Sequence, residues 1–181
     1  MKPIVRLSLI ALGSGLLAAV SGALLSGFPA PFGRLDLTLI VACGLIGVFR
    51  PTDALAAALG AGLFWDALTG LPPGAHLLAM PLAVWAADLI FRRLLSNLSW
   101  PSFAVLNGLA FFFTYSILGA INAVANRLAG WPAAGRFTEW LGALLTATLF
   151  QVLFALLSLW IARVMVARLA TRYLRWKHAR L

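Results

Sequence analysis

The chain has 181 residues, 62% of them hydrophobic and 10% charged, a balance far more apolar than that of an ordinary soluble domain. Its formal charge of +9 comes from 14 Lys and Arg against 5 Asp and Glu; in a soluble protein this would suggest nucleic acid, but here membrane topology explains the excess and nucleic acid is not expected as a partner. One cysteine, Cys43, and two histidines exclude a disulfide framework or a Cys-based metal site within the chain.

A spanning helix takes about 20 mostly apolar residues, so the chain has room for about five to seven spans and no separate soluble domain. The first apolar segment, 4–27, imitates a secretory signal, with Lys2 and Arg6 ahead of it and small residues at Ser21, Gly22 and Ala23. It is long enough to span, and is expected to remain as the first helix. Further segments follow near 35–50, 52–70, 75–91, 101–125 and 138–163, divided by Pro, Gly and charge. The link Arg50-Pro51-Thr52-Asp53 predicts a tight antiparallel hairpin between spans two and three, with Thr52 or Asp53 capping the third helix. Beyond the sixth span, Met165, Leu169, Tyr173 and Trp176 share one side of a helical tail, and Arg168, Arg172 and Arg175, with Lys177 nearby, lie away from it. That tail is expected to lie along the membrane surface, drawn to anionic lipid or to an acidic cytoplasmic partner. The expected fold is therefore an all-α membrane protein: a six-span bundle over 1–164 and a basic amphipathic tail over 165–181.

Basic residues collect in short cytoplasmic segments. With the N-terminus inside, eleven of the 14 fall on the cytoplasmic side and Arg34, Arg127 and Arg136 fall outside. This predicts an even number of spans with both termini in the cytoplasm. Trp100, Trp131, Trp140, Trp160 and Trp176 lie near predicted helix ends, where an amphipathic ring prefers the headgroup region.

In the third span Ala54, Ala58, Gly62, Asp66 and Gly70 recur at every fourth residue and so share one stripe of small side chains and a carboxylate. The stripe suits either packing within the bundle or a partner's helix. Asp66 lies about one turn from the outer end, where a carboxylate must be paired, protonated or wet. Asp36 opens the second span and His76 the fourth on the same side, so the three can converge. They suit a hydrogen-bonded network joining helices two to four better than a metal or proton site, because their spacing matches no compact ligand motif. Asp88 and Arg92, four apart, predict a helical ion pair. Asn107, Thr114, Asn122, Thr146 and Gln151 suit hydrogen bonds between helices. No phosphate loop, His-Glu-x-x-His helix or Gly-x-Ser-x-Gly turn is present in the sequence, so no enzyme, cofactor or metal centre is expected.

The run Leu35-Asp36-Leu37-Thr38-Leu39-Ile40, then Arg50-Pro51, then Gly60-Ala61-Gly62-Leu63-Phe64-Trp65-Asp66-Ala67-Leu68-Thr69-Gly70, closing with Gly74-Ala75-His76, resembles the MreD family of bacterial rod-shape-determining membrane proteins. Asp36, Asp66, Gly70 and Gly74 match its pattern. The resemblance implies a non-enzymatic inner-membrane subunit of the cell-elongation complex. Such a subunit binds MreC and helps link MreB filaments to the peptidoglycan synthase RodA and its penicillin-binding transpeptidase. It also implies a fold similar to the substrate-binding subunits of energy-coupling-factor vitamin transporters. A substrate-capture subunit with an outward pocket near Asp36, Asp66 and His76 is therefore the alternative. A roomy polar cavity would favour capture, and an exposed groove of Ala and Gly would favour a partner helix.

Overall fold

The computed structural model describes residues 3–25, 27–29, 35–48, 50–94, 99–129 and 137–178, except for the side chains of 94, 137, 167 and 169–178. These residues form α1 (Pro3–Leu25), α2 (Leu37–Gly47), α3 (Pro51–Leu68), α4 (Ala75–Leu94), α5 (Trp100–Leu128) and α6 (Phe137–His178), with no strand among them. Among the described residues four stretches, Pro3–Leu25, Ala75–Arg93, Trp100–Leu128 and Thr138–Val166, are long and apolar enough to cross a bilayer. The chain is an all-helical membrane protein.

The second helix is shorter than its apolar segment. Its 11 residues rise about 17 Å, against a hydrocarbon core of about 30 Å. Asp36 fixes its start by accepting hydrogen bonds from the backbone N–H groups of Thr38 (2.9 Å) and Leu39 (3.2 Å). Its end precedes Arg50-Pro51, where proline disfavours helical backbone in the residue before it. Short as it is, α2 sits centrally, against α1, α3, α4 and α5. Leu39, Ala42, Cys43 and Ile46 are almost wholly buried in the main core.

Small residues on two faces of α3 let two neighbours approach. Helix α1 runs parallel to it, because contacts advance together along both: Arg6 with Asp53, Ser14 Oγ donating to the Ala57 carbonyl at 2.8 Å, Gly15 against Phe64 and Gly22 against Trp65. At the crossing, a Cβ on Gly60 would lie 1.9 Å from the Ala11 carbonyl oxygen. On the other face, a Cβ on Gly62 would meet the His76 carbonyl oxygen at 2.7 Å. Ala54, Ala58 and Gly62 are buried, so these members of the stripe are covered by the chain itself, whereas Gly70 is exposed. Four-residue spacing identifies a face without saying which neighbour covers it.

Helices α5 and α6 run antiparallel, with Arg163 over the Trp100 ring, Gly108 against Val152 and Gly119 against Trp140. Extended packing between α6 and either α1 or α2 is absent among the described residues. One flank of α2 consequently stays uncovered: Leu37, Val41, Gly44, Leu45 and Val48, spaced as one helical stripe, are partly or fully exposed.

The basic tail is helical and continuous with the last span. Helix α6 continues for 42 residues to His178, about 63 Å, with no proline within it. The tail is an extension of the last helix. Arg168 is exposed on it, while the side chains of Leu169, Arg172, Tyr173, Arg175, Trp176 and Lys177 lie outside the described residues, as do Arg34, Trp131 and Arg136.

Candidate functional site

At the end of the bundle opposite the N-terminus, α3 hands over to α4 through a turn that explains Asp66 and Gly74 of the Asp-x-x-x-Gly-x-x-x-Gly spacing, whereas a Cβ on Gly70 would meet nothing within 4 Å. Gly74 has φ +85°, a backbone conformation open to glycine at little cost. It occupies the position before the first helical residue, Ala75, and has no side chain with which to cap α4. Asp66 performs that capping from α3. Its Oδ1 accepts from the His76 N–H at 2.7 Å and its Oδ2 from the Leu77 N–H at 3.0 Å. Those amides belong to the group that a helix start leaves without intrahelical partners, and a carboxylate there also meets the positive end of the helix dipole.

The same carboxylate oxygen lies 3.2 Å from His76 Nδ1, with Thr69 Oγ1 at 3.4 Å from that nitrogen. Trp65 stacks on the imidazole at 6.1 Å between ring centroids. Asp66 and His76 are thus brought together directly. Asp36 faces the same space across a cavity of about 430 Å³, lined among others by Asp36, Trp65, His76, Tyr115, Asn122 and Trp140. No group of three His, Cys, Asp or Glu residues that could hold a metal ion occurs among the described residues.

Asp36 also anchors α6. Its backbone N–H donates to Gln151 Oε1 at 3.0 Å, and Gln151 Nε2 donates to its carbonyl at 2.8 Å. Gln151 is fully buried, so both groups of the Asp36 peptide depend on one side chain. Replacing it by Leu leaves a buried donor and acceptor unpaired. Gln151→Leu should therefore lower stability by about 1–3 kcal/mol, measured as reduced thermal stability of the detergent-purified protein with its helix content retained at low temperature.

Among these polar positions, Gln151 bonds across to another element, the N-cap of α2. Asn107, Thr114 and Thr146 instead donate to the carbonyls of Phe103, Ala110 and Gly142, each four residues back in its own helix. A short polar side chain finds its nearest free acceptor there. Asn122 lines the cavity.

The opposite end carries a residue that the sequence presented only as a cap. The N-cap of α3 is Arg50 with Pro51 behind it, and no side chain caps the helix, so neither Thr52 nor Asp53 does so. Asp53, 2% exposed, pairs with Arg6 of α1 and lies 4.0 Å from Arg50. The visible signal is an acidic residue at a helix start three residues after Arg50; its pairing with Arg6 depends on the parallel docking of α1. Asp88 and Arg92 form the expected pair at 3.0 Å.

Comparison of the chain with protein-family models, curated proteins and solved structures found no match.

Proposed function

We propose that the protein is an MreD-like scaffold of the bacterial inner membrane, with six crossings, both termini in the cytoplasm and a fold similar to energy-coupling-factor substrate-binding subunits. In this reading it binds MreC and helps couple MreB filaments to RodA and its penicillin-binding transpeptidase, with no chemistry of its own. The shortness of α2 is compatible with six crossings because four neighbouring helices pack against it. The alternation of chain direction through α1, α2 and α3 fits the same count.

The observation that carries the scaffold reading is the uncovered flank of α2. Its apolar stripe is open between α1 and the α5–α6 pair, and a Cβ on Gly44 would meet no atom within 4 Å. An incoming single helix could approach closely there, since helix association in lipid relies on backbone proximity and packing. Gly62 is already filled by α4, so the test falls on Gly44. Gly44→Phe should lower co-purification with co-expressed MreC about tenfold, equivalent to about 1.4 kcal/mol, while the bundle stays folded. Undiminished recovery of the complex would count against this flank as the docking face.

The cavity beside Asp36 and His76 favours a second reading, a solute-capturing subunit of a small-molecule transporter. Solute-dependent uptake into vesicles, requiring this chain together with an energising partner, would support it over the scaffold.

A further inference from the structure

The cavity has an uneven charge lining. Asp36 and His76 line it, the Asp66 carboxylate stands directly behind the imidazole, and no lysine or arginine is among the described lining residues. Three aromatic side chains, Trp65, Tyr115 and Trp140, contribute to the wall, alongside Leu35, Leu71 and Leu118. In a chain whose formal charge is +9, this is a locally acidic, aromatic recess.

We infer that the recess binds a small organic cation, a protonated or quaternary amine carried on a flat apolar body. The Asp36 carboxylate is buried, and its Oδ1 is taken up by the Thr38 and Leu39 N–H groups and the Thr38 hydroxyl; a buried carboxylate gains further from an adjacent counter-charge, which a cation beside it supplies. Aromatic faces attract the same charge through their quadrupoles, more strongly where water is excluded. An anion would meet Asp36 with Asp66 behind it. The volume of about 430 Å³ sits in the lower part of the range of about 300–1,000 Å³ usual for small-molecule sites, too small for a helix or a whole lipid. The inference rests on the recess alone and holds whether the bundle scaffolds partners or captures solutes.

The full-length protein in a neutral maltoside detergent provides the test, with its tryptophan fluorescence as the readout, since Trp65 and Trp140 line the recess. Phenethylammonium and benzyltrimethylammonium should each give a saturable change at a concentration about tenfold or more below that needed for neutral 2-phenylethanol, and phenylacetate should give none. The positive net charge of the chain opposes non-specific accumulation of cations, so such a preference reports the site. Asp36→Asn keeps a side-chain oxygen suited to capping α2 and should weaken cation binding about tenfold or more with helix content unchanged. Leu71→Trp, which enlarges a lining side chain into the recess, should abolish binding and serves if Asp36→Asn fails to fold. The inference is overturned if neither cation saturates, if neutral or anionic probes bind as well, or if either folded variant keeps full affinity.

Discussion

Gly60→Ala is expected to unseat α1 from the bundle. The added methyl would lie 1.9 Å from the Ala11 carbonyl oxygen, 2.5 Å from its carbon and 2.7 Å from its Cα. These are backbone atoms of a neighbouring helix, so no side chain can rotate away, and relief requires the helices to separate. Separation would also strain the Arg6–Asp53 pair and the Ser14–Ala57 hydrogen bond, which depend on the same docking. The loss should reach or exceed the roughly 1–3 kcal/mol typical of overpacking a core. Two glycines in the same fold provide the control, because a Cβ on Gly13 or Gly44 meets nothing within 4 Å. Gly13→Ala and Gly44→Ala should hold or gain stability, by up to about 0.5–1 kcal/mol from helix propensity. Thermal unfolding of the three variants in detergent distinguishes the cases. Equal behaviour of Gly60→Ala and Gly13→Ala would contradict the α1–α3 docking.

Asp66→Leu should be comparably severe, for a different reason. It removes the acceptor of two backbone amides at the start of α4 and the partner of His76 Nδ1, and Gly74 has no side chain to replace it. Losing a helix cap and leaving partly buried donors unpaired together cost about 2–3 kcal/mol. Asp66→Asn keeps one oxygen where the carboxylate uses two, and should therefore lose about half as much. The comparison is read in thermal stability. Equal losses in the two variants would mean that the negative charge itself, rather than its hydrogen bonds, holds the turn.

Much of the helical architecture was legible because apolar run length and Pro-Gly punctuation are properties of the chain alone. Helices α1, α3, α4 and α5 begin and end within a few residues of the predicted segments. The length of α2 was not legible, because Asp36 and the Arg50-Pro51 turn trim an apolar run that carries no internal sign of where it stops. The proximity of Asp66 and His76 could be read because a short connection and a capping need join them. Partnerships between distant segments could not. Gly60, one face away from the chosen stripe, makes the closest approach in α3, and only the docking of α1 distinguishes it from Gly62. Likewise Gln151 looked no different from Thr146 or Asn107, yet it alone of these reaches a peptide on another element, since its longer side chain spans the gap that shorter ones close locally.

An even number of crossings, with α2 and α3 counted among them, is tested most directly by a reporter fused after Leu181. A carboxyl-terminal green fluorescent protein should fluoresce in whole cells, and alkaline phosphatase at the same position should be inactive, as the proposed six-crossing arrangement requires. Active phosphatase together with a dark fluorescent fusion would put the tail on the far side and contradict the six-crossing arrangement.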